Sequence, residues 1–203
     1  MLRWAADGGV VAAAVSIAGL LLSWRRLSRL RLILSISGVV IGLLVVGVLW
    51  SWWQTAQQVP AIHDITTDTE NPPRFVSVLP LRKDAANSAE YGGPEIAAKQ
   101  RAAYPDIVPA MLPLPPAQAF DRALQTARDM GWTIVDSNSG EGRIEATDTT
   151  LWFGFKDDII IRVTAVDQGS RVDIRSLSRV GRSDVGTNAK RIRRYLKKLK
   201  ESS

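Results

Sequence analysis

The chain has 203 residues, a formal charge of +6, one His and no Cys. That length allows one ordinary domain plus extra segments. The composition excludes disulfides, thiol chemistry and Cys-based zinc sites, and nucleophilic catalysis of the Ser/His/Asp type would rest on His63 alone.

Residues 8–24 and 32–53 are almost unbroken apolar runs. A membrane helix needs about 17–25 such residues, so residues 1–53 are expected to form a transmembrane helical hairpin. Trp4 and Trp24 bracket the first run, and Trp50, Trp52 and Trp53 end the second, where aromatic rings favour the headgroup level. A cleaved leader is disfavoured, because Ser23-Trp24-Arg25-Arg26 follows the first run in place of a small-residue cleavage site. Arg25, Arg26, Arg29 and Arg31 lie between the runs, whereas Asp64, Asp68 and Glu70 follow the second. Basic loops stay cytoplasmic. Both termini and the large domain are therefore expected on the periplasmic side of a bacterial inner membrane.

Residues 54–116 contain all ten prolines, which prevent long helices and remove ladder donors. Extended chain is expected there, with one short helix possible over 95–102. Ile62, Ile65, Phe75, Val76, Val78 and Leu79 are too apolar for a solvated tether, so the segment is expected to wrap the domain that follows.

Residues 117–203 read as a domain. Pro115 or Pro116 opens a helix with Phe120, Ala123, Leu124 and Ala127 on its buried stripe, and Gly131 ends it. Strands follow over 132–136 and 143–149, the latter with Ile144 and Ala146 on one face. Ile159, Ile161, Val163 and Ala165 share one face of a third strand, with Arg162 and Thr164 on the other. Ile160 and Val166 break the alternation, so the second face should be part-covered. The turn at 167–170 includes Gly169, free to take positive φ. A half-buried fourth strand alternates Val172 and Ile174 with Arg171, Asp173 and Arg175. Ala189, Ile192, Leu196 and Leu199 mark a last helix, for which Ser183 and Asp184 are N-cap candidates. The expected fold class is α+β: a four-stranded antiparallel meander with two helices on one face.

The runs GFKDDIIIRV, SRVDIRSLSRVGRSD and NAKRIR, with IHDITTDTENPPRF and AYPDI upstream, resemble the uncharacterised family called domain of unknown function 1499. The resemblance covers about 60–199, and bacterial members often have membrane segments ahead of the domain. The family has no established activity, so the resemblance implies no catalytic residue.

Two residue sets stand out. Ser178, Arg179, Gly181, Arg182, Ser183, Asp184, Asn188 and Arg191 form a turn into the last helix. It either binds an anion, since helix N-termini and arginines favour negative charge, or locks strand to helix through Arg–Asp bridges and a cap. The second set is Lys156, Asp157, Asp158 and Arg162. Asp157 and Asp158 are strand neighbours, point to opposite faces and cannot chelate together; an ion pair to Lys156 or Arg162 is expected. No metal site, cofactor or phosphate loop is expected. The basic last helix, with Lys190, Arg191, Arg193, Arg194, Lys197, Lys198 and Lys200, is a solvated face or a contact for anionic headgroups; no nucleic acid is expected. These features suggest a non-enzymatic membrane-anchored envelope protein that binds or scaffolds a protein or anionic lipid. The alternative is an enzyme without His or Cys chemistry acting on an anionic envelope substrate, which would need Arg179, Arg182 and Asp157 or Asp158 in one concave cluster.

Overall fold

A computed structural model of the chain describes residues 2–23, 29–150 and 153–201. Trp24, Arg25 and Arg26 lie outside the described residues. The chain divides into two compact units, Met1–Gln58 and Val59–Ser203.

In the first unit, α1 (Leu2–Ser23) and α2 (Arg29–Gln58) run antiparallel. Gly9 faces Gly42 and Val45, while Ser16 faces Gly38. A Cβ on Gly38 would lie 2.6 Å from the Ser16 hydroxyl, and one on Gly42 would lie 3.0 Å from the Gly9 carbonyl oxygen. Small residues four apart thus let the two backbones approach, as lipid-embedded helices commonly do. Away from this seam the side chains stay apolar and open: Ile33, Ile41 and Leu44 are all exposed.

Among the described residues one helix is long and apolar enough to cross a membrane: Leu32–Ser51, 20 residues of mean hydropathy 2.8, with 6% of the stretch buried. Among the described side chains the apolar part of α1 is Gly8–Gly19, about 18 Å of helix against a hydrocarbon core of about 30 Å. The expected pair of spans is therefore corrected to one candidate among the described residues, because that stretch is too short to count as a second.

The second unit is built on one antiparallel sheet. Its strands are β1 (Asp64–Thr66), β2 (Ala110–Leu112), β3 (Thr133–Asn138), β4 (Arg143–Thr149), β5 (Lys156–Val166) and β6 (Gly169–Ser178). They run in the order β1-β6-β5-β4-β3, with β2 also on the free edge of β6. The expected meander is present as β3 to β6, but the sheet has six strands, not four. The two additions are three-residue pieces between prolines, too short to show an alternation. They pair where β6 would otherwise expose unpaired backbone groups: Asp64 opposite Leu177 and Ala110 opposite Val172. Gly169 has φ +127°, and a Cβ there would sit 2.2 Å from the Leu112 carbonyl oxygen, so β2 needs a glycine at that corner.

Three helices belong to this unit: α3 (Gly93–Ala103), α4 (Pro116–Asp129) and α5 (Thr187–Glu201). Helix α4 starts on proline and buries Ala119, Phe120, Ala123 and Ala127 at three- and four-residue spacing. Helix α5 buries Ala189, Ile192, Leu196 and Leu199, and also Tyr195, which the sequence reading left off the stripe. The Tyr195 hydroxyl donates to the Ala123 carbonyl at 3.0 Å, and its ring stacks on Trp132 at 5.3 Å. Both helices pack on one sheet face with Ile144, Ala146, Ile159, Ile161, Val163, Val172 and Ile174. Each of these isoleucines contributes roughly 1.5–3 kcal/mol by leaving water. Ala165 has the right parity but is exposed, because the hairpin runs past the helix layer. The opposite sheet face carries a small cluster, Phe75, Val78, Ile160 and Leu177, under the proline-rich segment and its 3-10 turn, Leu79–Arg82.

Candidate functional site

The turn after β6 is built by strand geometry. Successive residues point to opposite faces, so Ser178 lies on the helix side and Arg179 on the other. The Ser178 hydroxyl accepts from Asn188 Nδ2 at 3.0 Å, and the same amide donates to the His63 carbonyl at 3.0 Å. Asn188 Oδ1 accepts from the Ser176 hydroxyl at 2.7 Å and from Arg191 Nη1. Arg191 is buried and donates further, from Nε to Asp148 at 2.8 Å and from Nη2 to Asp157 at 2.6 Å. His63 therefore enters this site through its backbone oxygen.

Asp184 starts α5. Its Oδ1 accepts from the Gly186 N–H at 2.9 Å and its Oδ2 from the Asn188 N–H at 2.6 Å, satisfying donors that a helix start leaves free. Burial pushes its carboxyl above the usual carboxylate range, and those two N–H bonds pull the other way. The position an outside anion would take at this helix end holds the chain's own carboxyl. Ser183 Oγ accepts from the Val185 N–H at 3.2 Å. Gly181, at φ +94°, presents its carbonyl to Asn87 Nδ2 at 3.0 Å. Arg182 is exposed and has no side-chain partner among the described residues.

Asp157 and Asp158 do point to opposite faces, and their partners come from far along the chain, not from Lys156 or Arg162. Asp157 meets Arg191 on the helix side. Asp158, fully buried, meets Arg82 at 2.5 Å and Arg179 at 2.8 Å, and accepts from the Thr147 hydroxyl at 2.8 Å. Arg162 instead pairs with Asp68 and Asp173, both at 3.0 Å, and Lys156 is exposed. Arg179, Arg182, Asp157 and Asp158 do not converge on one cavity.

Around Asp158 the second sheet face is a layer of buried charge. Arg175, 1% exposed, makes a two-pronged pair with Asp64 at 2.9 and 2.8 Å. It also donates to the Pro73 and Ala89 carbonyls and lies over the Phe75 and Tyr91 rings. Burial is the main reason the Tyr91 hydroxyl is pushed up to about 12. Glu145 accepts from three successive backbone N–H groups, Val76, Ser77 and Val78, at 2.9–3.1 Å, and from Arg143 at 2.6 Å. Arg179 and Arg82 donate to the Leu81 and Asn87 carbonyls. The charges thus pair with each other and with the backbone of an irregular segment, which has no ladder of its own, while Arg82 Nε and Arg162 Nε stay buried without a hydrogen-bond partner.

The sequence reading missed Arg82, Glu145, Asp64, Asp173 and Arg175 as buried. A charge at every second strand position signals solvent on that face, and Asp173 and Arg175 read that way. The available clue was the apolar, proline-broken stretch ahead, which had to cover something.

The chain matches the family described as a protein of unknown function (DUF1499) over residues 64–199. No match among curated proteins accompanies it. The matched stretch runs from β1 to the last turn of α5 and contains the sheet, both of its covered faces and the turn at 178–191: this chain belongs to the DUF1499 family.

Proposed function

We propose that this chain is a membrane-anchored bacterial envelope protein whose unit at 59–203 serves as a non-enzymatic binding or scaffolding module. The observation that carries the anchor is Leu32–Ser51, an apolar helix of 20 residues of which 6% is buried. A core helix of a soluble protein would be covered by its own fold. Arg25, Arg26, Arg29 and Arg31 precede this span, and a basic flank stays cytoplasmic. The unit that follows then faces the periplasm from the inner membrane. A rigid, ion-paired domain held at that surface suits contact with an envelope protein or an anionic headgroup.

Fractionation and topology reporters test this. The protein should stay with membranes through an alkaline wash. A reporter active only in the cytoplasm should work when fused after Ser28 and fail when fused after Ser203. Release by the wash would overturn the anchor, and the reverse reporter pattern would overturn the orientation.

A further inference from the structure

Six of the nine large apolar side chains exposed among the described residues of the 59–203 unit are Leu79, Leu81, Phe153, Phe155, Val180 and Val185. They gather at one end of the sheet. The Arg179 N–H donates to the Lys156 carbonyl at 3.0 Å, which sets Val180 beside Phe155. The Arg179 side chain donates to the Leu81 carbonyl at 2.7 Å, and the Asn87 N–H to the Arg179 carbonyl at 3.0 Å, which brings the 3-10 turn to the same place. Phe153 and Phe155 stack on each other at 5.5 Å yet stay 66% and 51% exposed. Lys156, Lys83 and Arg182 are exposed around them. Rings and aliphatic side chains rimmed by cations match a bilayer interface, where apolar groups enter the headgroup layer and cations meet phosphates.

This is also the end where the chain joins the domain. Val59 packs beside Gly186, the Ile62 carbonyl accepts from the Asp184 N–H at 3.2 Å, and the His63 carbonyl accepts from the Ser178 N–H at 3.0 Å. The span ends at Ser51 and the second unit begins at Val59, so only seven residues of chain tether this end of the domain to the span, which keeps it within reach of the headgroups.

We propose that the surface formed by Phe153, Phe155, Val180, Lys156 and Arg182 docks on the anionic headgroup layer of the bilayer that anchors the chain. The proposal rests on the anchored reading. Docking would leave the far end of the β5–β6 hairpin free.

The absence of Cys allows single-site labelling. The full chain, carrying an environment-sensitive dye at Val180→Cys, Gln168→Cys or Leu44→Cys, is reconstituted into phosphatidylcholine vesicles with or without 30% phosphatidylglycerol (roughly the anionic share that gives a strong surface potential). Spin-labelled lipid serves as quencher. The Val180 and Leu44 labels should be quenched in anionic vesicles, and the Gln168 label, at the opposite end of the hairpin, should not. Charge reversal by Lys156→Glu or Arg182→Glu should lower the docked fraction about fivefold or more for each cation, and Phe153→Ser with Phe155→Ser should abolish Val180 quenching. An unquenched Val180 label beside a quenched Leu44 label would overturn docking and leave the anchor standing. An unquenched Leu44 label would overturn the anchored reading and docking with it. Equal Val180 quenching in neutral vesicles would overturn the role given to the cations.

Discussion

The two faces of the sheet solve the same burial problem with opposite chemistry. On one face α4 and α5 lie against Ile144, Ile159, Ile161, Val172 and Ile174. A helix satisfies its own backbone, so the strand side chains beneath it are mostly apolar, with Asp157, Ser176 and Ser178 meeting Arg191 and Asn188 only near the start of α5. On the other face the cover is residues 72–90 of the proline-rich segment, whose N–H and C=O groups have no ladder. There the strands carry Glu145, Asp158, Asp173 and Arg175, all at most 1% exposed. Three backbone N–H groups end on Glu145, while Arg175, Arg179 and Arg82 cap carbonyls of the segment. The lesson is that the polarity of a buried face follows from what covers it. A buried charge costs several kcal/mol to desolvate, and only full pairing offsets this.

The comparison breaks most visibly at Asp158. Asp158→Ala leaves Arg82 and Arg179 buried without their carboxylate, which should cost about 3–5 kcal/mol. Thermal melting of the full chain in micelles, followed by near-ultraviolet circular dichroism, reads this loss, and an unchanged melting temperature would show that the network is not stabilising. On the helix face, Ile161→Ala should cost about 2–5 kcal/mol through lost transfer energy and a cavity. The two variants should differ in kind: loss at Asp158 is electrostatic, so Asp158→Asn, which keeps the shape, should remain strongly destabilised.

A smaller effect is expected where the faces meet at the start of α5. Asp184→Ala removes both accepted N–H bonds and should cost about 1 kcal/mol, and Asp184→Asn, which keeps one acceptor oxygen and sets an amide donor against the other N–H, should lose a substantial part of that. An unchanged Asp184→Asn variant would show that one accepted N–H is enough for the cap. Burial raises the Asp184 carboxyl in the folded state, so its protonated form is favoured there. The stability linked to that proton is present below the unfolded value and is lost as pH rises through the folded one; Asp184→Asn should remove this slope.

The smallest effects belong to the solvent side. Lys198 and Asp129 are partly exposed and 3.6 Å apart, so Lys198→Ala should change stability by no more than about 0.5 kcal/mol. The Arg193 side chain, by hydrogen bonding, holds the exposed Asp106 carboxyl below its ordinary value. That contribution is present above the unfolded carboxylate value and is lost as pH falls through the folded one. Arg193→Ala should flatten this part of the acid limb in a pH series of melts.

Local pattern determined much of this protein. Apolar length marks Leu32–Ser51 as a span candidate, strand alternation marks β4 to β6, and three- and four-residue spacing marks α4 and α5, because each depends on neighbours in the chain. The DUF1499 runs were legible for the same reason. Tertiary structure decided the rest. It placed β1 and β2 on the edge of β6, gave Asp157 and Asp158 each a distant arginine, and turned the charged positions of β4 to β6 into an interior. At the turn it bonded Arg179 and Arg191 inward and left Arg182 outside. Nothing in the alternation of Asp173 and Arg175 distinguishes solvent from a covering segment about a hundred residues upstream. A strand's period tells which side chains share a face; only long-range packing tells what that face meets.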